Sequence, residues 1–136
     1  YEFAVELNQE VLEKVPMFKG ADQNLLREIA ICLVPCIFTP GDAIFSFGEV
    51  GDKMYFIRKG QVEVVSSDGK EVYATLGEGD FFGEMALLEQ LPRTATATAV
   101  ERSHLFLLYR SKLDALLQRQ PRRVIVAVFQ FLALGR

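Results

Sequence analysis

The chain has 136 residues, half of them hydrophobic, with a formal net charge of −3. That is enough apolar material for one domain with a real core, too little length for two ordinary domains, and the wrong balance for a disordered chain. No basic stripe stands out and no apolar run is long enough to span a bilayer, which argues against this segment gripping nucleic acid or crossing a membrane by itself. There is no signal peptide, and the chain opens Tyr1-Glu2-Phe3 rather than with Met, so it is expected to be a piece of something longer. Cys32 and Cys36 are the only cysteines and His104 the only histidine. Two unpaired thiols in a reducing cytosol fit better than a zinc site.

Glu6 to Val15 carries Leu7, Val11, Leu12 and Val15 at helical spacing, and Pro16 closes it. Met17-Phe18 is an apolar connector. Asp22 or Gln23 opens the next expected helix, with Leu25, Leu26, Ile29, Ala30 and Leu33 as its apolar face and Pro35 as its stop. From Cys36 to Tyr109 the texture is that of strands. Ile37-Phe38 and Ala43-Ile44-Phe45 are expected to form a first ribbon about the turn Thr39-Pro40-Gly41-Asp42. Gly48-Glu49-Val50-Gly51-Asp52 is a further turn. Strands follow at Met54–Ile57, Gln61–Val65 and Glu71–Leu76, with hairpin turns at Lys59-Gly60 and Ser67–Lys70. Thr94–Ala99 and Ser103–Tyr109 complete a pattern of short strands that suggests a barrel or sandwich. Helix returns after Tyr109, with Ser111 as N-cap and Asp114 at the capping-box position. Pro121 suits the first turn of a last helix that is apolar around most of its circumference and must be covered, by its own core, by a ligand or by another subunit.

The most informative stretch is residues 81–95. Gly83 has no Cβ and lets the backbone come close to a ligand. A short helix starting at Glu84-Met85-Ala86-Leu87 would point free N–H groups at an anion. Arg93 can meet a phosphate with a two-pronged hydrogen bond, and Glu84 can accept from a ribose hydroxyl. These are the parts needed to hold a small sugar phosphate. A Gly-turn followed by a buried helical turn and a surface arginine is the plainer reading, and it leaves the spacing of Glu84 and Arg93 to coincidence.

Phe82-Gly83-Glu84-Met85-Ala86-Leu87 and Arg93-Thr94-Ala95 resemble, residue by residue, the phosphate-binding cassette of cyclic nucleotide-binding domains. The Thr39–Asp42 and Gly48–Asp52 turns and the run Met54–Gly60 also resemble that family, so the resemblance covers essentially the full length. It implies an α+β fold: an antiparallel β-roll or jelly-roll barrel with N-terminal helices, a short cassette helix and two C-terminal helices. A cupin-type jelly roll would share strands and glycines but normally needs histidine ligands. The resemblance implies that Phe82, Gly83, Glu84, Met85, Ala86, Arg93, Thr94 and Ala95 form the ligand site. Val64 and Ala74 correspond to positions lining the base. Leu134 stands where channel relatives often carry an arginine over the base, a departure that leaves that contact to apolar packing or to Arg136.

Leu7–Phe18 looks like the junction between linker and binding domain in cyclic-nucleotide-gated and related channels. The resemblance therefore implies residues 1–18 as the end of a channel linker and 19–136 as the binding domain. The expected parent is a tetrameric, bacterial-type cation channel of the potassium-conducting kind. Its sensing domain would sit on the cytoplasmic face of the membrane and be a monomer when isolated. The expected ligand is cAMP, with cGMP binding as well because Thr94 offers a hydroxyl to a guanine. No other cofactor and no metal is expected. Ligand would favour one arrangement of the terminal helices and so bias the pore. A regulatory domain of a soluble kinase or transcription factor is the alternative. An enzyme is less favoured, since one histidine supplies neither a metal cluster nor a Ser-His or Cys-His pair. A vestigial module is disfavoured by intact Glu84, Arg93 and Thr94.

Overall fold

In a computed structural model of the chain, residues 12, 13, 22–87, 91–122 and 125 are described. Leu12 and Glu13 are helical, and so are Arg122 and Ile125. The rest of the expected first helix, the Met17-Phe18 connector and most of the expected last helix, Leu134 included, lie outside the described residues.

Helix α1 (Gln23–Cys32) starts where the sequence places it. The Asp22 carboxylate caps it by accepting from the Asn24 N–H at 3.3 Å. It ends at Cys32, three residues before the expected stop. Pro35 disfavours helical backbone at Val34, and both residues instead enter strand β1 (Val34–Phe38). That strand lies at a sheet edge, where proline is tolerated. The remaining strands are β2 (Ala43–Phe45), β3 (Lys53–Lys59), β4 (Gln61–Val65), β5 (Val72–Gly77), β6 (Phe81–Phe82), β7 (Thr96–Ala99) and β8 (Ser103–Tyr109). A 3-10 helix, Glu84–Leu87, follows β6, and helix α2 (Arg110–Leu117) continues directly from β8. Two antiparallel four-stranded sheets result, with orders β1-β8-β3-β6 and β2-β7-β4-β5. The fold is an α+β β-roll.

Two expected reversals turn out to be crossings between sheets. β1 pairs with β8 and β2 with β7, so the Thr39–Asp42 turn does not close a ribbon. Likewise β3 and β4 belong to different sheets, and Lys59-Gly60 is a corner rather than a hairpin. Gly60 sits there at φ 111°, and any Cβ on it would run into Ser103. The fully buried Ser103 hydroxyl braces the corner by accepting from the Gln61 N–H at 3.2 Å. Only β4 and β5 form the expected hairpin, across 66–71. At the other end, Ser111 is not the N-cap of α2. Tyr109 holds that position without a side-chain bond, and Asp114 instead meets Arg110 at 3.6 Å. Because β8 runs straight into the helix, no turn is present for a serine to close.

The alternation of side chains along β3 and β8 explains why both read as unbroken apolar runs. Met54 and Phe56, with Phe106 and Leu108, face α1 and α2 and join Leu26, Ile29 and Leu113. Tyr55 and Ile57, with Leu105 and Leu107, face the second sheet and join Val62, Ala97 and Ala99. The two strands are thus buried on both sides. Phe56 is 1% exposed at the centre of the helix-side cluster. Truncating it should leave a large cavity, so Phe56→Ala is expected to cost about 3–5 kcal/mol in urea unfolding. A loss below about 1 kcal/mol would mean the helices do not depend on this face.

Candidate functional site

The cassette begins where β6 pairs with β3, Tyr55 opposite Phe82 and Phe56 opposite Phe81. Gly83 then turns at φ 77°, in the left-handed region that only glycine enters cheaply. The 3-10 helix starts at Glu84, which is buried at 9% exposure. Ala86 and Leu87 are buried and Met85 is exposed. The second arm of the cassette is held by the Gly48–Asp52 turn. Val50 bridges Pro92, the Arg93 N–H donates to the Glu49 carbonyl at 2.6 Å, and the Gly48 N–H donates to the Arg93 carbonyl at 2.9 Å.

That backbone pairing aims Arg93 inward. Its residue exposure is 9%. One terminal nitrogen donates to the Gly83 carbonyl at 3.1 Å and the other to the Lys53 carbonyl at 2.8 Å. Its Cζ lies 4.2 Å from the centre of the Phe45 ring and 5.9 Å from that of Tyr55, within cation–π range. Tyr55 in turn stacks on Phe82, with centroids 4.9 Å apart and planes 11° apart. The Nε–H of Arg93 is buried and has no hydrogen-bond partner among the described residues. An unsatisfied N–H on a buried cation is costly, and an anionic acceptor would relieve it.

The structure therefore brings Gly83, Glu84 and Arg93 together from opposite ends of the stretch. The Phe82 ring lies in the core between the sheets. Thr94 is exposed and Ala95 buried. Val64 and Ala74 are half-buried partners across β4 and β5, and Val64 also faces Ala97 on β7. Their register puts them at the end of the sheet where the chain enters from Arg93, since Val65 pairs with Thr96. Leu134 lies outside the described residues. Phe45, Gly51, Lys53 and Tyr55 shape the arginine's surroundings and were not legible as site residues, because their contacts are to a side chain some 40 positions away. Among the described residues no group of His, Cys, Asp or Glu could hold a metal ion, and no helix is long and apolar enough to cross a membrane. His104 lies on β8, partly buried in a surface depression with Arg58 and Ile37, away from the cassette.

Burial holds the Tyr55 phenol above its ordinary value of 10.0, with the Lys53 and Arg93 charges pulling it down. The unfolded chain's tyrosine ionises first as pH rises, so the stability linked to Tyr55 is complete below about pH 10 and falls above it. Tyr55→Phe removes this group, so its unfolding free energy should fall less steeply between pH 9.5 and 11 than that of the wild type. Parallel profiles would show that Tyr55 titrates freely in the folded state.

Residues 35–120 match the cyclic nucleotide-binding domain family model. A cyclic nucleotide-gated channel of Caenorhabditis elegans is 35% identical over 134 residues, covering 93% of this chain. The human cyclic nucleotide-gated channel alpha-3 is 33% identical over 88% of it. The chain spans only 18% of the length of each of these two relatives. Among solved structures, the N-terminal domain of a transcriptional regulator from Streptomyces coelicolor A3(2) superposes with a TM-score of 0.79 at 31% identity, over 90% of this chain and 87% of that one. A cyclic nucleotide-binding-like protein from Brucella abortus shares the fold with a TM-score of 0.73 at 24% identity. Family match, relatives and fold agree, and the chain belongs to the cyclic nucleotide-binding domain family.

Proposed function

We propose that this domain binds a cyclic nucleotide, cAMP in preference to cGMP, and passes the binding event to a larger regulatory protein. The observation that carries this reading is the buried Arg93 guanidinium, whose Nε–H lacks a partner among the described residues, next to buried Glu84 at the start of the 3-10 helix. Arg93 takes the cyclic phosphate and Glu84 the ribose 2′-hydroxyl. Val64 and Ala74 border the base, and Thr94 supplies the hydroxyl that admits guanine. In the parent protein, closure of the C-terminal helices is coupled to gating of a tetrameric cation channel, with this domain on the cytoplasmic side of the membrane and residues 1–18 joining it to the pore. The similarity to channel subunits supports that assignment. The likeness to the Streptomyces regulator's N-terminal domain supports a second reading, in which the same domain controls a soluble transcription factor. In either role the ligand is bound and released unchanged.

Calorimetry of the 136-residue chain with cAMP and cGMP tests this. Binding of cAMP, tighter than cGMP and with intact nucleotide recovered, is the expected result. Removing one partner of a buried charge pair typically costs about 2–5 kcal/mol. Arg93→Ala is therefore expected to weaken cAMP binding by well over tenfold, and Arg93→Lys to restore only part of it, since an ammonium lacks the planar fork. Unchanged affinity in a folded Arg93→Ala chain would end the assignment.

A ligand lacking the 2′-hydroxyl forfeits its own hydrogen bond to the buried carboxylate. We expect 2′-deoxy-cAMP to bind worse than cAMP, on the order of tenfold for about 1.4 kcal/mol. Glu84→Ala should bring the two ligands close together. Equal binding of both ligands to the wild type would remove Glu84 from the ribose.

A further inference from the structure

Gly51 differs from the turn glycines. It is buried, and its φ lies outside the left-handed region that Gly48 and Gly83 occupy. No conformational demand of that kind requires glycine there, yet space does. A Cβ at position 51 would come within 2.5 Å of both Cζ and Nε of Arg93, and 2.7 Å of its second terminal nitrogen. Real Cβ contacts are essentially never that short, so the neighbour must shift. The neighbour is the far end of a flexible side chain, and the movement falls on the guanidinium. Phe45, 8% exposed, presents its ring 4.2 Å from the same Cζ. The guanidinium is thus confined by a ring and by a missing side chain, while the Gly83 and Lys53 carbonyls fix its two ends.

We propose that Gly51 and Phe45 are positioning residues for the ligand's anion: they hold the Arg93 guanidinium in the one place from which it reaches the phosphate. This rests on the reading of Arg93 as the phosphate partner. A side chain at 51 pushes the guanidinium off its two carbonyls without disturbing the backbone of the loop. Loss of the Phe45 ring removes the flat surface against which the planar group lies. Both residues act through Arg93 and not on the ligand directly.

A double-mutant cycle separates that role from a merely structural one. In the 136-residue chain, Gly51→Ala is expected to lower cAMP affinity at least tenfold and to lower the urea midpoint. On an Arg93→Ala background, where the obstructed group is gone, Gly51→Ala is expected to change neither. Phe45→Leu is the second variant, with the same dependence of its affinity loss on Arg93. Equal losses of midpoint and affinity on both backgrounds would overturn the proposal. If the wild-type chain does not take up cAMP, the cassette reading itself falls. The urea midpoints of the four Gly51 and Arg93 combinations still decide whether Gly51 makes room for the arginine.

Discussion

A guanidinium buried in a domain this small is the constraint around which the rest is arranged. Removing an ion from water costs several kcal/mol unless bonds replace the lost hydration. Arg93 recovers part of that from the carbonyl of Gly83 in the cassette and part from the carbonyl of Lys53 at the head of β3. The Phe45 ring packs against its guanidinium as well. These partners come from three separate segments. They meet only because β6 pairs with β3 and because the Gly48–Asp52 turn bonds to the arm carrying Pro92 and Arg93.

The strands that bear this site are held from both sides. On β3, Tyr55 faces the interior of the roll while its neighbours Met54 and Phe56 face the helices. A displacement of β3 therefore disturbs two cores at once, which gives the arginine a stiff support. The Gly48–Asp52 turn also touches helix α2. The Asp52 carbonyl accepts from the N–H of Arg110, the first residue of α2, at 2.8 Å, while the next carbonyl, that of Lys53, accepts from Arg93. Adjacent peptide groups thus connect Arg93 and the helix that continues from β8.

Local chemistry explains which elements were readable in advance. Asp22 ahead of an amphipathic run, the apolar stretches of β3 and β8, and the glycine at 83 each carry their signal within a few residues. So does the cassette, whose parts lie within fifteen positions. Sheet membership does not. The turn at Thr39–Asp42 states that the chain reverses, and it does so equally well within one sheet or between two. Pairing β1 with β8 rather than with β2 is decided by partners some 70 residues away. For the same reason Lys59-Gly60 reads as a hairpin although Ser103 makes it a corner.

The site divides along the same line. The sequence by itself determined the family, the pairing of Glu84 with Arg93 as candidate groups, and the need for a glycine at 83, because those depend on residue type and short spacing. Only the tertiary structure decided that Arg93 is buried rather than a surface charge, that the Phe82 ring lies between the sheets, and that a side chain at position 51 would meet Arg93. Those properties arise from contacts between segments far apart in the chain. Steric exclusion between two such segments leaves no periodicity or composition for the sequence to display.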